Sequence, residues 1–378
     1  MADSTLVMIP GPTNISPRVL QVMSLPMVGH TSKEFESDFL TTLDLTRFVF
    51  QTKGTVIVFS GSGTFGIESS CASVLERGDK VLSIELGYFG KRYTNISRIY
   101  GADTTVYSPP EGHGADPKVL DEMLSKGSFK AVLITHIETS MGVMNNVREL
   151  AAVAHRHGAL SMVDAVCGLG GAELPFDAWG LDVAFAGSQK AIAGPPGAML
   201  MALSDRALGI VQGRKTPIPS YYFNLQSWIR VMKDPHIYVT TPTVPVLRAV
   251  KVALEMVKEE GLEARWKRHA NLSYAFRESL RKGGVELWSS DPSPTVTAIK
   301  VKDAAKIQQH ILDRHNILVA RGVEPHRDDM IRVGHMGNVT GDQLLRTLAA
   351  LGEGVSFEKP AFDAAAALRE FIEITLKQ

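Results

Sequence analysis

Cysteine is nearly missing from this chain: 378 residues carry two, Cys71 and Cys167. Neither lies in a C-x-x-C spacing, so the sequence suggests neither a zinc knuckle nor a disulfide framework. Long apolar runs are missing too. No stretch reaches the about 18 apolar residues that a membrane-spanning helix needs. The opening "MADSTLVMIPGPTN" has no basic region followed by an apolar one, which argues against a secretion leader; the expected setting is the reducing cytoplasm. Net charge is absent, with 40 Lys and Arg against 40 Asp and Glu. No basic excess points to nucleic acid, and no acidic tail points to a solvating segment. Internal repeats and low-complexity tracts are absent as well.

The residues that are present belong to an ordinary globular protein, 44% hydrophobic and 21% charged. The length suits two domains, or one large α/β domain with an appendage. From Thr55 to Leu203, short apolar runs alternate with amphipathic ones. "TVIVFS", "KVLSIE", "DTTVYS", "KAVLITHIE", "ALSMVDAV", "VAFAG" and "AMLMAL" read as strands. "FGIESSCASVLERGD", "YFGKRYTNISRIYG", "PKVLDEMLSKG" and "VRELAAVAHRHG" read as helices, the first ending near Gly78. That alternation predicts an α/β fold with a mostly parallel sheet covered on both faces. Pro217 to Pro245 is rich in Pro, Tyr and Thr and shows weak periodicity. Long helical material follows. Strands and a helix mix between Leu287 and Val333, and two last helices close a smaller α+β unit. The expected divisions are an N-terminal arm over 1–18, a large domain over 19–260 and a small C-terminal domain over 261–378.

Ligands of open parallel sheets sit beyond the carboxyl ends of the strands. After "TVIVFS" comes "GSGTFGIE". Its glycines allow close approach of backbone N–H groups, and the helix that follows offers a positive dipole end, together an anion site suited to phosphate. The hydroxyls of Ser62 and Thr64 add donors. The glycine spacing is not G-x-G-x-x-G, and the G-K-[ST] of a P-loop is lacking. After "ALSMVDAV", Asp164 stands at a strand end, placed to pair with a buried cation. Lys190 follows 26 residues later in "AGSQKAIAGPPG", among Ala, Gly, Ser and Pro. Poor solvation disfavours an ammonium there and favours a nucleophilic amine. Singly, each residue has a bland reading: a helix cap, a turn cap, a surface lysine. In this order on a parallel sheet they match the three anchors of pyridoxal 5′-phosphate (PLP), which needs its phosphate held, its ring nitrogen paired with an acid and its aldehyde bound to a lysine.

The series "SGSGT", "HIETSMG", "VDAVCGLGG", "AGSQKAIAGPPG" and "IRVGHMG", with "PGPTNISPRVL" near the start, resembles the class V aminotransferases of PLP fold type I. The nearest likeness is to the alanine–glyoxylate / serine–pyruvate aminotransferase group. The resemblance implies a large domain with a seven-stranded sheet, a homodimer with shared active sites, and transfer of an amino group from a small L-amino acid to glyoxylate or pyruvate. By motif match it implies that Lys190 carries the cofactor as a Schiff base and that Asp164 pairs with the ring nitrogen. Ser62, Gly63 and Thr64 would hold the phosphate, and Gln189 would contact the cofactor. Phe89 would stack on the ring and Val166 would touch its other face. Thr139 would bond the phenolic oxygen, with Ser140 its close competitor. Tyr238 and Thr241 in "IYVTTPT" would reach the neighbouring subunit's phosphate. Arg332 would clamp the substrate's α-carboxylate.

Three other readings stand beside this one. "TTPTVPVLRAVKVALEM" and "IRVGHMG" also resemble pyridoxamine–pyruvate transaminase, which acts on free pyridoxal and needs no phosphate grip; "SGSGT" keeps the grip. A cysteine desulfurase of the same fold needs a Cys on a mobile loop and usually a His over the ring, where Phe89 stands. A non-catalytic binding module would lack the lysine or the acid, and both are here.

Overall fold

A computed structural model describes residues 4–356 and 362–377. The outer limits of the expected arm and C-terminal domain, residues 1 and 378, lie outside them. Strands β1 (Thr55–Ser60), β2 (Lys80–Ile84), β3 (Asp103–Tyr107), β4 (Ala131–Thr135), β5 (Leu160–Asp164), β6 (Val183–Gly187) and β7 (Ala198–Leu203) make one sheet. Their spatial order is β1-β7-β6-β5-β4-β2-β3. β7 runs antiparallel to both β1 and β6, and the other pairings are parallel. β4 to β7 are buried at every position, which is why they read as unbroken apolar runs rather than alternating ones. The carboxyl ends of β1, β5 and β6 therefore open on the same edge of the sheet.

A second hydrophobic cluster gathers around an antiparallel sheet of Val296–Lys300, Met330–Gly334 and Ala320–Arg321. Helices Leu262–Lys282, Ala304–His315, Gly341–Ser356 and Ala364–Leu376 cover it. The N-terminal residues join this cluster: Leu6–Val7 pairs in parallel with Ile317–Leu318, and Met8 is fully buried there. A small third cluster, including Cys167, Ala191, Val296 and Met336, fills the junction beside Lys190.

The elements differ from the sequence expectation in three places. The first helix of the large sheet is Gly63–Val74 and stops short of Gly78, because Leu75 turns extended at φ −95° and ψ 146°. "KAVLITHIE" is not one strand: β4 stops at Thr135, and Ile137–Glu138 pairs instead with Val143–Met144 in a hairpin. Within the weakly periodic 217–245 stretch, Leu225–Lys233 forms a helix started by the Asn224 side chain, which accepts from the backbone of Gln226 and Ser227. No helix among the described residues is long and apolar enough to cross a membrane.

Candidate active site

Three chain segments leave the sheet at the common edge, and their side chains converge on a cavity of about 200 Å³. Ser62, Gly63, Thr64, Phe89, Thr139, Asp164, Val166, Gln189 and Lys190 all line it.

The β1 segment supplies a helix N-terminus. Ser62 occupies the cap position of helix Gly63–Val74, yet its side chain makes no cap bond. The Phe65 N–H bonds the Ser62 carbonyl at 2.9 Å, but among the described residues the Gly63 and Thr64 N–H groups and that hydroxyl have no partner, and a helix N-terminus favours an anion. Gly63 matters through space rather than through its dihedral angles: a Cβ there would stand 2.4 Å from Val166 Cγ2. Its absence lets the helix start approach the loop after β5.

The β5 segment supplies Asp164, which is 5% exposed. The Val166 N–H donates to Asp164 Oδ1 at 2.9 Å. Burial lifts the carboxyl from its ordinary 3.8 to about 7, aided by the charge of Glu138; the Val166 bond, Lys190 and Arg92 pull the other way. A carboxyl held near neutrality in a cavity is ready to ionise once a cation arrives beside it.

The β6 segment supplies Gln189 and Lys190. Gln189 Oε1 is buried with no hydrogen-bond partner among the described residues. Lys190 is half-buried, and its Nζ donates to the Pro10 carbonyl. The N-terminal segment lies directly over this amine. Gly11 adopts φ +100°, and a Cβ on it would stand 2.5 Å from Lys190 Cδ, so both backbone conformation and contact call for glycine. Thr13 Oγ1 bonds the Lys190 carbonyl at 3.0 Å, and the Thr13 N–H bonds the Gln189 carbonyl at 3.1 Å. The sequence motif "PGPTN" marked this segment without showing that it covers the lysine.

Phe89 is held by a residue that sequence reasoning passed over. Glu138, fully buried, accepts from the backbone N–H groups of Phe89 (3.1 Å), Gly90 (3.0 Å) and Ser140 (3.1 Å) and from the Ser140 hydroxyl (2.5 Å). Burial raises its carboxyl and these bonds oppose the rise. Ser140 Oγ also accepts from the Tyr88 N–H at 3.1 Å. Its hydroxyl is thus committed to the protein, whereas among the described residues Thr139 Oγ1 has only Cys167 Sγ at 3.4 Å, and Thr139 lines the cavity. Arg92 was missed as well. It lines the cavity, donates to Thr64 Oγ1 at 3.3 Å, and sits 5.0 Å from the Phe89 ring centre and 5.1 Å from that of Tyr88. Its spacing from Phe89, one helical turn, is the signal that could have flagged it.

Arg332 lies beside the cavity rather than in its lining. Its Nε and Nη2 donate to the Arg321 carbonyl at 2.9 and 2.8 Å, and Nη1 donates to the Thr139 carbonyl at 3.2 Å. A guanidinium has five N–H donors, so two are left. Tyr238 and Thr241 are not brought to this cavity. They hydrogen-bond each other at 3.1 Å on the surface, with Tyr238 64% exposed. Both thiols are buried, and burial raises both above the ordinary range, so neither has the thiolate character of a nucleophile.

An anion-seeking helix end, a carboxyl poised to meet a cation, an amine and an aromatic face in one cavity, on a sheet of this order, define the PLP-dependent enzymes of fold type I. The chain belongs to the class V aminotransferase family, whose model, Aminotransferase class-V, matches residues 13–336. It is 34% identical to serine–glyoxylate aminotransferase of Methylorubrum extorquens, over 90% of this chain and 88% of the other. It is 32% identical to alanine–glyoxylate aminotransferase of Rattus norvegicus, over 93% and 87%. The crystal structure of ureidoglycine–glyoxylate aminotransferase from Bacillus subtilis superposes with a TM-score of 0.94 over 99% of each chain, at 30% identity. The chain is accordingly a transaminase, and its cofactor is pyridoxal 5′-phosphate. The cavity suits that group on its own evidence: the uncapped helix start suits a phosphate, Asp164 a ring cation, and the orphaned Gln189 oxygen awaits a donor.

Proposed function

We propose that this enzyme moves the amino group of a small L-amino acid, alanine or serine, to glyoxylate or pyruvate in a ping-pong sequence. The observation that carries the reading is the meeting of Lys190, Asp164 and the uncapped helix start at Ser62 in one cavity. Ser62, Gly63 and Thr64 would hold the cofactor's phosphate, and Gln189, beside Lys190, would contact the cofactor. Asp164 would pair with the ring nitrogen as a carboxylate and keep it protonated. Phe89 and Val166 would contact the ring, and Thr139 would donate to its phenolic oxygen. Bound there, the cofactor supplies an electron sink for the substrate's α-carbon and a carrier for the amino group. Lys190 would hold the cofactor through its aldehyde, and its Nζ would serve as the general base for the α-proton; a positioned base contributes about 10²–10⁴-fold. The two remaining donors of Arg332 take the substrate α-carboxylate in a fork suited to its planar shape.

The relatives named above share glyoxylate in their names, which supports it as acceptor here. We place the enzyme in the cytoplasm as a homodimer, with Tyr238 and Thr241 of each chain completing the phosphate site of the other. Their exposed position, away from their own chain's cavity, supports that arrangement. The phosphate grip sets this reading above a pyridoxamine–pyruvate activity. The deciding experiment is a panel of alanine, serine, glycine and ureidoglycine against glyoxylate and pyruvate, with free pyridoxamine plus pyruvate alongside. Turnover of alanine or serine with glyoxylate supports the proposal. Turnover of free pyridoxamine alone refutes it. Borohydride reduction of the purified enzyme with PLP bound should fix the label on Lys190, and a label elsewhere would remove the base assigned above.

A further inference from the structure

Helices Ala304–His315 and Gly341–Ser356 pack against each other through Ile307, Ile311, Leu348 and Leu351 in the second hydrophobic cluster. Their approach is tight at Gly354, where a Cβ would stand 3.0 Å from Ile307 Cγ2 and 3.7 Å from Ile311 Cγ1. A missing side chain at this point brings the preceding residue, Glu353, alongside the first helix. There Glu353 Oε2 lies 3.5 Å from His310 Nε2 and 3.0 Å from His315 Nε2. One ligand atom from each of the three residues lies within 4.8 Å of the other two.

An ordinary surface ion pair needs one cation for one carboxylate. Here a single carboxylate oxygen faces two imidazoles, and each imidazole, when neutral, presents a lone pair. Two ligand atoms held about 2 Å from a zinc ion at tetrahedral angles are themselves roughly 3.3 Å apart. The two imidazole–carboxylate separations fall on either side of that value. Two nitrogens and one oxygen suit a borderline divalent ion such as zinc, whereas magnesium and calcium prefer oxygen donors throughout. The side chains of His310, His315 and Glu353 are 20, 27 and 54% exposed, which leaves room for water as a fourth ligand. Among the described residues, the ion pairs of Glu353 are with these two histidines alone.

We propose that His310, His315 and Glu353 form a binding site for a zinc-class divalent cation that clamps the two helices together. None of the three lines the cavity around Lys190, so the site is independent of the amino-transfer chemistry. Binding to the folded chain raises its stability by mass action.

The test uses the holoenzyme, stripped with a chelator, dialysed and titrated with zinc chloride in a calorimeter. One saturable equivalent per chain and a zinc-dependent rise in the unfolding midpoint are expected, with no response to magnesium chloride. His310→Gln, His315→Gln and Glu353→Gln should each weaken zinc binding at least tenfold and leave transamination unchanged. Cobalt in place of zinc should give the intense visible bands of a four-coordinate ion. Absence of saturable zinc uptake would overturn the site. So would wild-type zinc affinity in the His310→Gln/His315→Gln double variant, or a weak six-coordinate cobalt spectrum.

Discussion

Asp164 shows how much one buried carboxyl sets. Its pKa is raised in the folded chain, from 3.8 to about 7. A raised acid contributes stability that is full below its unfolded pKa and is lost as pH climbs through its folded one. Without cofactor, wild-type protein should therefore lose thermal stability relative to Asp164→Asn as pH rises from about 4 to about 7, and change little above that. Adding PLP should flatten that slope, because a cationic ring nitrogen stabilises the ionised form. Unfolding midpoints of both proteins at several pH values, with and without PLP, check this; a pH-independent difference in the cofactor-free pair would show that Asp164 is already ionised. Arg332→Ala should raise the KM for the amino donor roughly 10- to 100-fold, the worth of a charge-assisted pair, and leave cofactor affinity nearly unchanged. Equal losses of both would place the carboxylate clamp elsewhere. Lys190 and Asp164 were legible in the sequence because Asp164 ends a strand and Lys190 stands in the turn just after one, each in a short, distinctive motif. Arg92 and Glu138 were not: one is an arginine among many on an amphipathic helix, and the other acts on backbone groups 48 and 49 residues away.

The elements owe their legibility to burial. Strands covered on both faces read as apolar runs, and their alternation with helices predicted a mostly parallel sheet. Where the period failed, local hydrogen bonding decided, as at the Asn224 cap, or a hairpin claimed residues from a strand's end, as at Ile137–Glu138. That hairpin has a purpose in the site. Glu138 replaces a helix cap for the segment that carries Phe89, since the cap position itself is Gly87 with no side chain. Glu138→Gln keeps the volume but weakens the charge-assisted bonds to four donors, each difference worth about 1 kcal/mol. The expected result is a lower unfolding midpoint and a faster loss of cofactor on dialysis, with Phe89 no longer fixed. An unchanged midpoint would mean that the backbone N–H groups find other partners. Gly63→Ala tests the neighbouring element. Its Cβ would overlap Val166, so the helix start must retreat from the cavity, and the dissociation constant for PLP should rise at least tenfold in a spectroscopic titration. Retained affinity would show that Val166 yields instead.

At the scale of the whole molecule, the site joins parts that are far apart in sequence. Residue 10 caps the amine of residue 190, Arg332 comes from the second sheet, and helix Leu262–Lys282 ties both sides together. From that helix Arg265 donates to the Ala191 carbonyl at 2.6 Å, and His269 accepts from the Gly337 N–H at 2.9 Å. These long-range ties follow no sequence period, and neither the spacing of residues nor the family likeness showed them. The proposed site has one part that the chain's own cavity does not supply: the pair Tyr238 and Thr241, exposed and bonded to each other. If they complete a partner's phosphate site, inactivity in the two chains should complement. A chain with Lys190→Ala has no base but a sound Tyr238–Thr241 pair. A chain with Tyr238→Ala and Thr241→Ala has the base but offers nothing to its neighbour. Co-expressed, they form mixed dimers in which the site around the intact Lys190 receives Tyr238 and Thr241 from the other chain. One such site in half of all dimers gives about a quarter of wild-type turnover at limiting PLP, where each homodimer alone gives little. If each chain instead used its own Tyr238, no mixed site would be whole, and co-expression would restore nothing.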